Sequence, residues 1–433
     1  MIAAVLELLR SPRATAALTT TGAGLVATAF TLQQTIGWPG YVAALILLTL
    51  LLGASLLARR DEIDWHWAIL PISLLAYLGW AGLSLLWSNY PRVTLLSFGY
   101  LLLVTFVGIY IGLSRDTIQV IRSFGDVLRA VLLVSLVLEV LSGIIFDAPL
   151  AALNIHGELA AGGPISGLLN TRNQLGLLAA IGLATFTIEW RTRSVTRTVA
   201  IPSLALAGGT ILFTQSPVVG MVLVVLVLAG AALYGIRRLP EDRRQFAQYA
   251  VLAALALLAA LAWVFRAPII ALFNATGELE FRLELWQRVL AFVPVHWLEG
   301  WGWTGIWNPL IPPYSGLTPT DGRPHDSALN AIVDLWLQIG AVGVFVFLTL
   351  VGLAFVRSWL LAGRRRSVVH TWPALTLVAL ITVSVAESSI LTELGWLLFV
   401  ICCVKASAEL SWRKALSPRP LPSTDTDALP HTP

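Results

Sequence analysis

The chain has 433 residues, of which 57% are apolar and only 12% charged, with a mean hydropathy of +0.80. So apolar a composition excludes a set of soluble domains, because most of such a chain has to lie in lipid. The net charge of +4 is scattered over many short loops, which argues against a nucleic-acid partner.

The opening MIAAVLELLRSPR lacks the charged start, short apolar core and small-residue cleavage site of a removable signal, so the first span reads as an uncleaved anchor. Apolar runs near the ~20 residues that cross a bilayer predict spans at 14–35, 41–58, 67–86, 95–113, 127–146, 173–190, 198–214, 217–236, 248–266, 328–356, 371–387 and 390–405. The expectation is an all-α polytopic membrane protein with about twelve transmembrane helices in one unit over residues 1–416. The Pro/Ser/Thr-rich SPRPLPSTDTDALPHTP at 417–433 reads as a disordered cytoplasmic tail. With both termini inside, 22 of the 28 basic residues fall on the cytoplasmic side, leaving Arg92, Arg172, Arg266, Arg282, Arg288 and Arg323 outside. That bias is what the positive-inside rule demands of a multi-pass protein of the cytoplasmic (inner) membrane.

Between the first two spans, QQTIGWPGY carries no acid of the kind a metal-dependent membrane transferase needs in an early outer loop. Glu139 within the fifth span is a proton-relay candidate if the chain is a transporter or flippase of lipid-linked glycans. Against that reading, no repeat of two halves is visible. Cys402 and Cys403 are adjacent in the last span, which gives neither a disulfide framework nor a zinc site.

The one long loop, 267–326, lies outside, and a loop of that length in a compact membrane protein is usually functional. It contains ELEFRLELWQRVLAFVPVHWLEGWGWTGIW, a helix-like stretch followed by a Gly/Trp turn. At helical spacing Arg282 can pair with Glu278 and Arg288 with Glu284. Its tryptophans, Trp286, Trp297, Trp301, Trp303 and Trp307, suit an interface belt better than sugar stacking.

The tenth span opens with RPHDSALNAIVDLWLQIGAVGVFVF, residues 323–347. Asp326 or Ser327 is the expected N-cap, and Asp326, Asn330, Asp334 and Gln338 recur every four residues along one face. An acid near mid-membrane costs about 2.5–3.5 kcal/mol on insertion scales, so that face should meet protein or a wet cavity, with His325 at its rim.

FRLELWQRVLAFVPVHWLEGWGWTGIW followed by PHDSALNAIVDLWLQIGAVGVFVF resembles the signature region of the O-antigen ligase and polymerase family, and GLLNTRNQLGLLAAIGL upstream is similar to its Asn-rich entry to an earlier span. The resemblance covers roughly residues 166–356. It implies a membrane glycosyltransferase (GT-C-like) fold with an extracytoplasmic helical loop over a central cavity. It also implies a metal-independent, inverting transfer of a glycan from a polyprenyl pyrophosphate to a glycan or lipid acceptor, with no cofactor. By that resemblance Arg282 would hold the pyrophosphate and His325 would orient or deprotonate the acceptor hydroxyl; Asp326, an acid beside the imidazole, is itself the candidate to orient His325. Arg172, Asn173, Arg288, Asn330 and Trp286 are the expected substrate contacts. Lying outside the lipid-packed helices, Arg282 should be replaceable without loss of expression. Two positions depart from the family pattern: in TQSPVVGMV, Pro217 stands where an Arg is usual, and the His-Asn pair is His-Asp. Arg172 is the candidate substitute for the missing cation, and a non-catalytic relative is the alternative. Ligase and polymerase share these motifs.

Overall fold

A computed structural model describes residues 7–60, 70–265, 268, 276–317 and 326–409. The described residues form helices and turns, with no β-structure beyond one bridge between Leu150 and Ile155. Thirteen helices follow in order: α1 Pro12–Ala27, α2 Ala29–Ala58, α3 Ile72–Leu83, α4 Pro91–Ser114, α5 Thr117–Val140, α6 Arg172–Thr192, α7 Arg197–Thr214, α8 Pro217–Arg238, α9 Glu241–Val264, α10 Thr276–Phe292, α11 Ala331–Arg364, α12 Thr371–Val383 and α13 Glu393–Glu409. Among the described residues, six stretches, in α2, α4, α5 with its extension to Ile145, α7, α8 and α11, are long and apolar enough to cross a bilayer. Large apolar side chains such as Leu50 (66%), Leu96 (71%), Leu212 (76%) and Phe345 (71%) point outward, the pattern of a protein solvated by lipid. This is a helical polytopic membrane protein.

Several predicted boundaries shift for local reasons. The first span ends early at Thr28, whose hydroxyl bonds back to the Gly24 carbonyl at 2.9 Å. The expected loop QQTIGWPGY is instead a kink inside α2, at Gly37 with φ +73° ahead of Pro39. The caps follow ordinary side-chain rules: Thr171 caps α6, and Ser216 caps α8 with Pro217 at its first position. For α11 the expected cap is corrected. Asn330, not Asp326 or Ser327, accepts the Ile332 and Val333 N–H groups at 3.0 and 3.1 Å.

The core runs through α1, α4, α5, α6, α11, α12 and α13. Gly108 and Gly112 on α4 let α13 approach closely: a Cβ there would lie 2.8 and 2.7 Å from Val400 and Val404, the small-residue packing of membrane helices. A second, smaller core forms apart from it, where Leu285 and Val289 of α10 pack on Trp307, Tyr314 and Leu337.

α11 is broken after Gln338. Ile339 and Gly340 leave helical geometry, Gly340 at φ +68°, and the segment 297–302 lies in the gap. Trp301 N–H donates to the Leu337 carbonyl at 3.0 Å and Gly302 N–H to that of Gln338 at 2.8 Å, while Ala341 N–H donates to the Trp297 carbonyl at 2.9 Å. No side chain fits at 340, because a Cβ would stand 2.1 Å from the Leu298 carbonyl oxygen.

Candidate active site

Arg282 sits on the inner face of α10 and is 8% exposed, because the apolar residues flanking it turn that face inward. Its Nε donates to the Ala386 carbonyl at 3.2 Å, Nη1 to Glu278 Oε2 at 3.1 Å and Nη2 to Glu387 Oε1 at 3.3 Å. The other oxygen of Glu278 is held by Arg172. Two guanidiniums 110 positions apart in sequence thus converge on one carboxylate. From Glu387 the chain of polar contacts continues: Asn173 Nδ2 donates to it, and the Ser216 hydroxyl donates to Asn173 Oδ1 at 2.6 Å. Glu387 lies beyond the C-terminal end of α12. Burial pushes its carboxyl above the usual carboxylate range, opposed by the Asn173 N–H and the Arg282 guanidinium.

The structure therefore brings Arg172, Asn173 and Arg282 together, joined by Glu278, Glu387 and Ser216. Pro217 sits one residue from this network, at the N-terminus of α8. The other candidates stand nearby in different surroundings. Asn330 donates to the Val385 carbonyl at 2.9 Å, tying α11 to the α12–α13 connection. Trp286 Nε1 donates to the Ala328 carbonyl at 2.9 Å. Arg288 is half-buried and paired with Glu284 on the same helix. Asp326 precedes α11, and its carbonyl accepts the Trp307 N–H at 2.8 Å. His325 lies outside the described residues, as do Arg323 and the tail 417–433.

The polar stripe is corrected in one respect: only Asp334 and Gln338 are helical. Both are fully buried against protein, one of the two surroundings expected for that face. Asp334 accepts Trp307 Nε1 at 2.7 Å and Gln338 Nε2 at 2.9 Å; Gln338 accepts the N–H groups of Thr304 and Gly305 at 2.9 and 2.8 Å. Their work is to hold the Gly/Trp turn. For the same reason Trp303 and Trp307, at 1% and 4% exposure, are core residues and not belt residues. The proton-relay candidate is also occupied: Glu139 accepts the Ser166 and Gly167 N–H groups at 2.9 and 2.8 Å, closing the loop ahead of α6. Arg282, expected to be dispensable for folding, is instead a buried tie between α10 and the α12–α13 connection.

Between α2, α6 and that connection opens a polar chamber of about 210 Å³, lined among others by Gln33, Asn170, Gln174, Asp326, Glu387 and Glu393. A second cavity of about 330 Å³ adjoins it through shared walls at Gln33, Gly305, Ile306, Thr392 and Glu393, and continues as a mainly apolar groove along Trp38, Leu96, Tyr100, Trp303 and Trp396. A polar chamber meeting an apolar groove suits a ligand that carries both characters. Among the described residues, no group of three or more His, Cys, Asp or Glu could hold a metal ion. The α12–α13 residues Glu387 and Glu393 go unremarked in the sequence reading. Their one available signal is two acids six apart in an otherwise apolar region.

Residues 202–348, about a third of the chain, match the family model described as O-Antigen ligase. The segment runs from α7 into α11 and takes in α10, the Gly/Trp turn and the α11 break, so the helices that position Arg282 are those of an O-antigen ligase family domain. None of the curated proteins compared with the chain matches it. Over that third of its length the chain is thus similar to an O-antigen ligase domain, a likeness that supports a tie, at the level of the family, to the ligation and polymerisation of surface polysaccharide.

Proposed function

We propose that the protein transfers a glycan from a polyprenyl-pyrophosphate carrier to an acceptor hydroxyl on the extracytoplasmic face of the cytoplasmic membrane, with inversion and without a metal. The observation that carries this reading is the convergence of Arg172 and Arg282 on Glu278 beside a polar chamber. Two guanidiniums gripping one carboxylate form the arrangement that grips a phosphate, since both anions present paired oxygens to a planar fork. In the reaction the bond from the anomeric carbon to the pyrophosphate oxygen breaks and the acceptor oxygen attaches from the opposite face. The acceptor's proton passes to a base, and His325, with an ordinary pKa of about 6.5, is assigned that role. The departing pyrophosphate takes both electrons of the broken bond, and Arg282 with Arg172 neutralises the charge it gains. Asn173 steadies Glu387 behind them, while Asn330 and Trp286 fix residues 328–330, which follow His325 and Asp326 in sequence; Arg288 stands on the rim.

The reading includes about twelve spans, both termini in the cytoplasm and a GT-C-like architecture, supported by the charge bias of the sequence. The family match supports ligase and polymerase chemistry alike. Deleting the gene tests it: a surface glycan should disappear or shorten while its lipid-linked precursor accumulates, and the wild-type gene should restore it where Arg282→Ala or His325→Ala does not. Transfer in isolated membranes should survive excess EDTA. An unchanged glycan profile after deletion would refute the assignment.

A further inference from the structure

The chamber and the groove share no cation. Among their described lining residues there is no Lys or Arg, and there are three carboxylates, Asp326, Glu387 and Glu393. The guanidiniums of Arg172 and Arg282 are directed instead to Glu278 and Glu387. Charge is therefore unevenly distributed: cations on the α10 side, and a lone carboxylate where the two cavities meet.

That carboxylate is Glu393. It lines the chamber, the groove and a third, smaller cavity toward α6. Its one hydrogen bond among the described residues comes from Gln33 Nε2 at 3.4 Å, long enough to leave acceptor capacity unused. Its backbone is left-handed at φ +47°, a conformation that an unbranched glycine would hold at lower cost. A carboxylate is kept there in spite of the backbone it requires.

Resting on the glycan-transfer reading above, we propose that Glu393 with Gln33 is the acceptor subsite, binding a hydroxyl of a neutral glycan acceptor where the polar chamber meets the apolar groove. The physical ground is selection by charge. The Glu393 carboxyl accepts a hydrogen bond from a sugar hydroxyl, and a lining that holds Asp326 and Glu387 beside it and no cation disfavours a pyrophosphate brought to the same place. The donor's pyrophosphate belongs with Arg172 and Arg282, and the hydroxyl that attacks it arrives from the Glu393 side. Glu393 thereby separates the two substrates, which would otherwise compete for one polar chamber.

A photocrosslinking amino acid, p-benzoylphenylalanine, placed at Thr392 in the full-length protein reads out what occupies the seam. Thr392 lines the same three cavities. In membranes supplied with donor and acceptor, irradiation should trap a sugar-bearing species without phosphate. Adding Glu393→Ala should cut its yield at least about fivefold, and Gln33→Ala should cut it less. Glu393→Gly should lose the adduct equally while its thermal midpoint holds or rises, since glycine relieves the left-handed backbone; that separates loss of a ligand from loss of the fold. A phosphate-bearing adduct, or a yield in Glu393→Ala within twofold of the parent, would overturn the proposal. If deletion abolishes a surface glycan while the adduct carries phosphate, only the acceptor assignment fails. If no sugar is trapped and deletion changes no glycan, both readings fail.

Discussion

Removing the Arg282 side chain should do two separable things, and the structure sets the size of the first. The guanidinium is 10% exposed and Glu387 8%, with nitrogen and oxygen 3.3 Å apart. Breaking a buried pair by deleting one partner leaves an uncompensated charge and costs about 3–5 kcal/mol. At roughly 2 °C per kcal/mol for a chain of this size, Arg282→Ala should melt about 6–10 °C below wild type in lipid nanodiscs. Adding Glu387→Gln removes the stranded charge while its amide oxygen can still accept from Asn173. What remains lost are the bond to the Ala386 carbonyl, about 1 kcal/mol, and the part-exposed contact to Glu278, about 0.2–1 kcal/mol. The double variant should therefore recover more than half of the lost stability. Transfer activity should stay absent in both, because neither restores a cation beside Arg172. Arg282→Lys should keep the charge and regain only part of the activity, lacking the two-point grip. A single variant that melts within 2 °C of wild type would refute the structural half of this reasoning, and a double variant that regains transfer would refute the catalytic half.

Three further outcomes are expected. Arg288→Ala, which breaks only a pair along α10, should cost about 0.3–0.5 kcal/mol and leave most transfer intact in a membrane assay. Gly340→Ala combines a left-handed φ with a Cβ 2.1 Å from the Leu298 carbonyl oxygen. It should cost more than about 2 kcal/mol, read as a collapse in detergent-extractable yield. In the Gly/Trp turn, the hydrogen bond to His296 at 2.8 Å holds the Glu299 carboxyl below its ordinary 4.5. A depressed carboxylate stabilises the fold fully above that ordinary value and loses the contribution as pH falls through the lowered one. Wild type should accordingly be more stable than Glu299→Gln above pH 4.5, with the two melting curves converging in acid.

Hydropathy marked the six long apolar helices because crossing lipid requires long apolar runs, and it set α10 apart because ELEFRLELWQRV cannot hide its charges in a bilayer. Family resemblance and charge together picked out Arg172, Asn173 and Arg282, which do meet. The acids that organise them were harder to read. Glu278 looks like a local partner for Arg282 at helical spacing, and nothing in that spacing shows that its second oxygen reaches α6. Glu387 falls at the end of an apolar run, where a helix seems to continue; in fact α12 stops at Val383 and the next nine residues turn before α13. Periodicity also misassigned Asp326 and Asn330 to a helical face, since a spacing of four carries no information about where the helix starts. Asp334 and Gln338 were visible as buried polar groups, but their partners lie in the Gly/Trp turn some thirty residues earlier in the chain.

The chamber exists because helices stop short, and the chain meets the cost of stopping at each place. A free carbonyl at membrane depth is tolerated only where protein or water satisfies it. Here protein does so. At the α11 break the Leu337 and Gln338 carbonyls accept from Trp301 and Gly302, and that of Ile339 accepts Trp80 Nε1 at 2.9 Å. At the end of α12 the Ser384 carbonyl accepts the Ala331 N–H at 3.0 Å, and those of Val385 and Ala386 accept Asn330 and Arg282. Trp87 Nε1 donates to the Glu299 carbonyl at 3.1 Å, fixing the turn to the end of α3. Arg282 is accordingly both a guanidinium beside the chamber and a donor to the irregular backbone that follows α12. On the reading proposed above, the charge that would suit a pyrophosphate is built into the backbone irregularity beside the chamber, so a substitution that loses the charge needs a second change, at Glu387, to recover most of its stability.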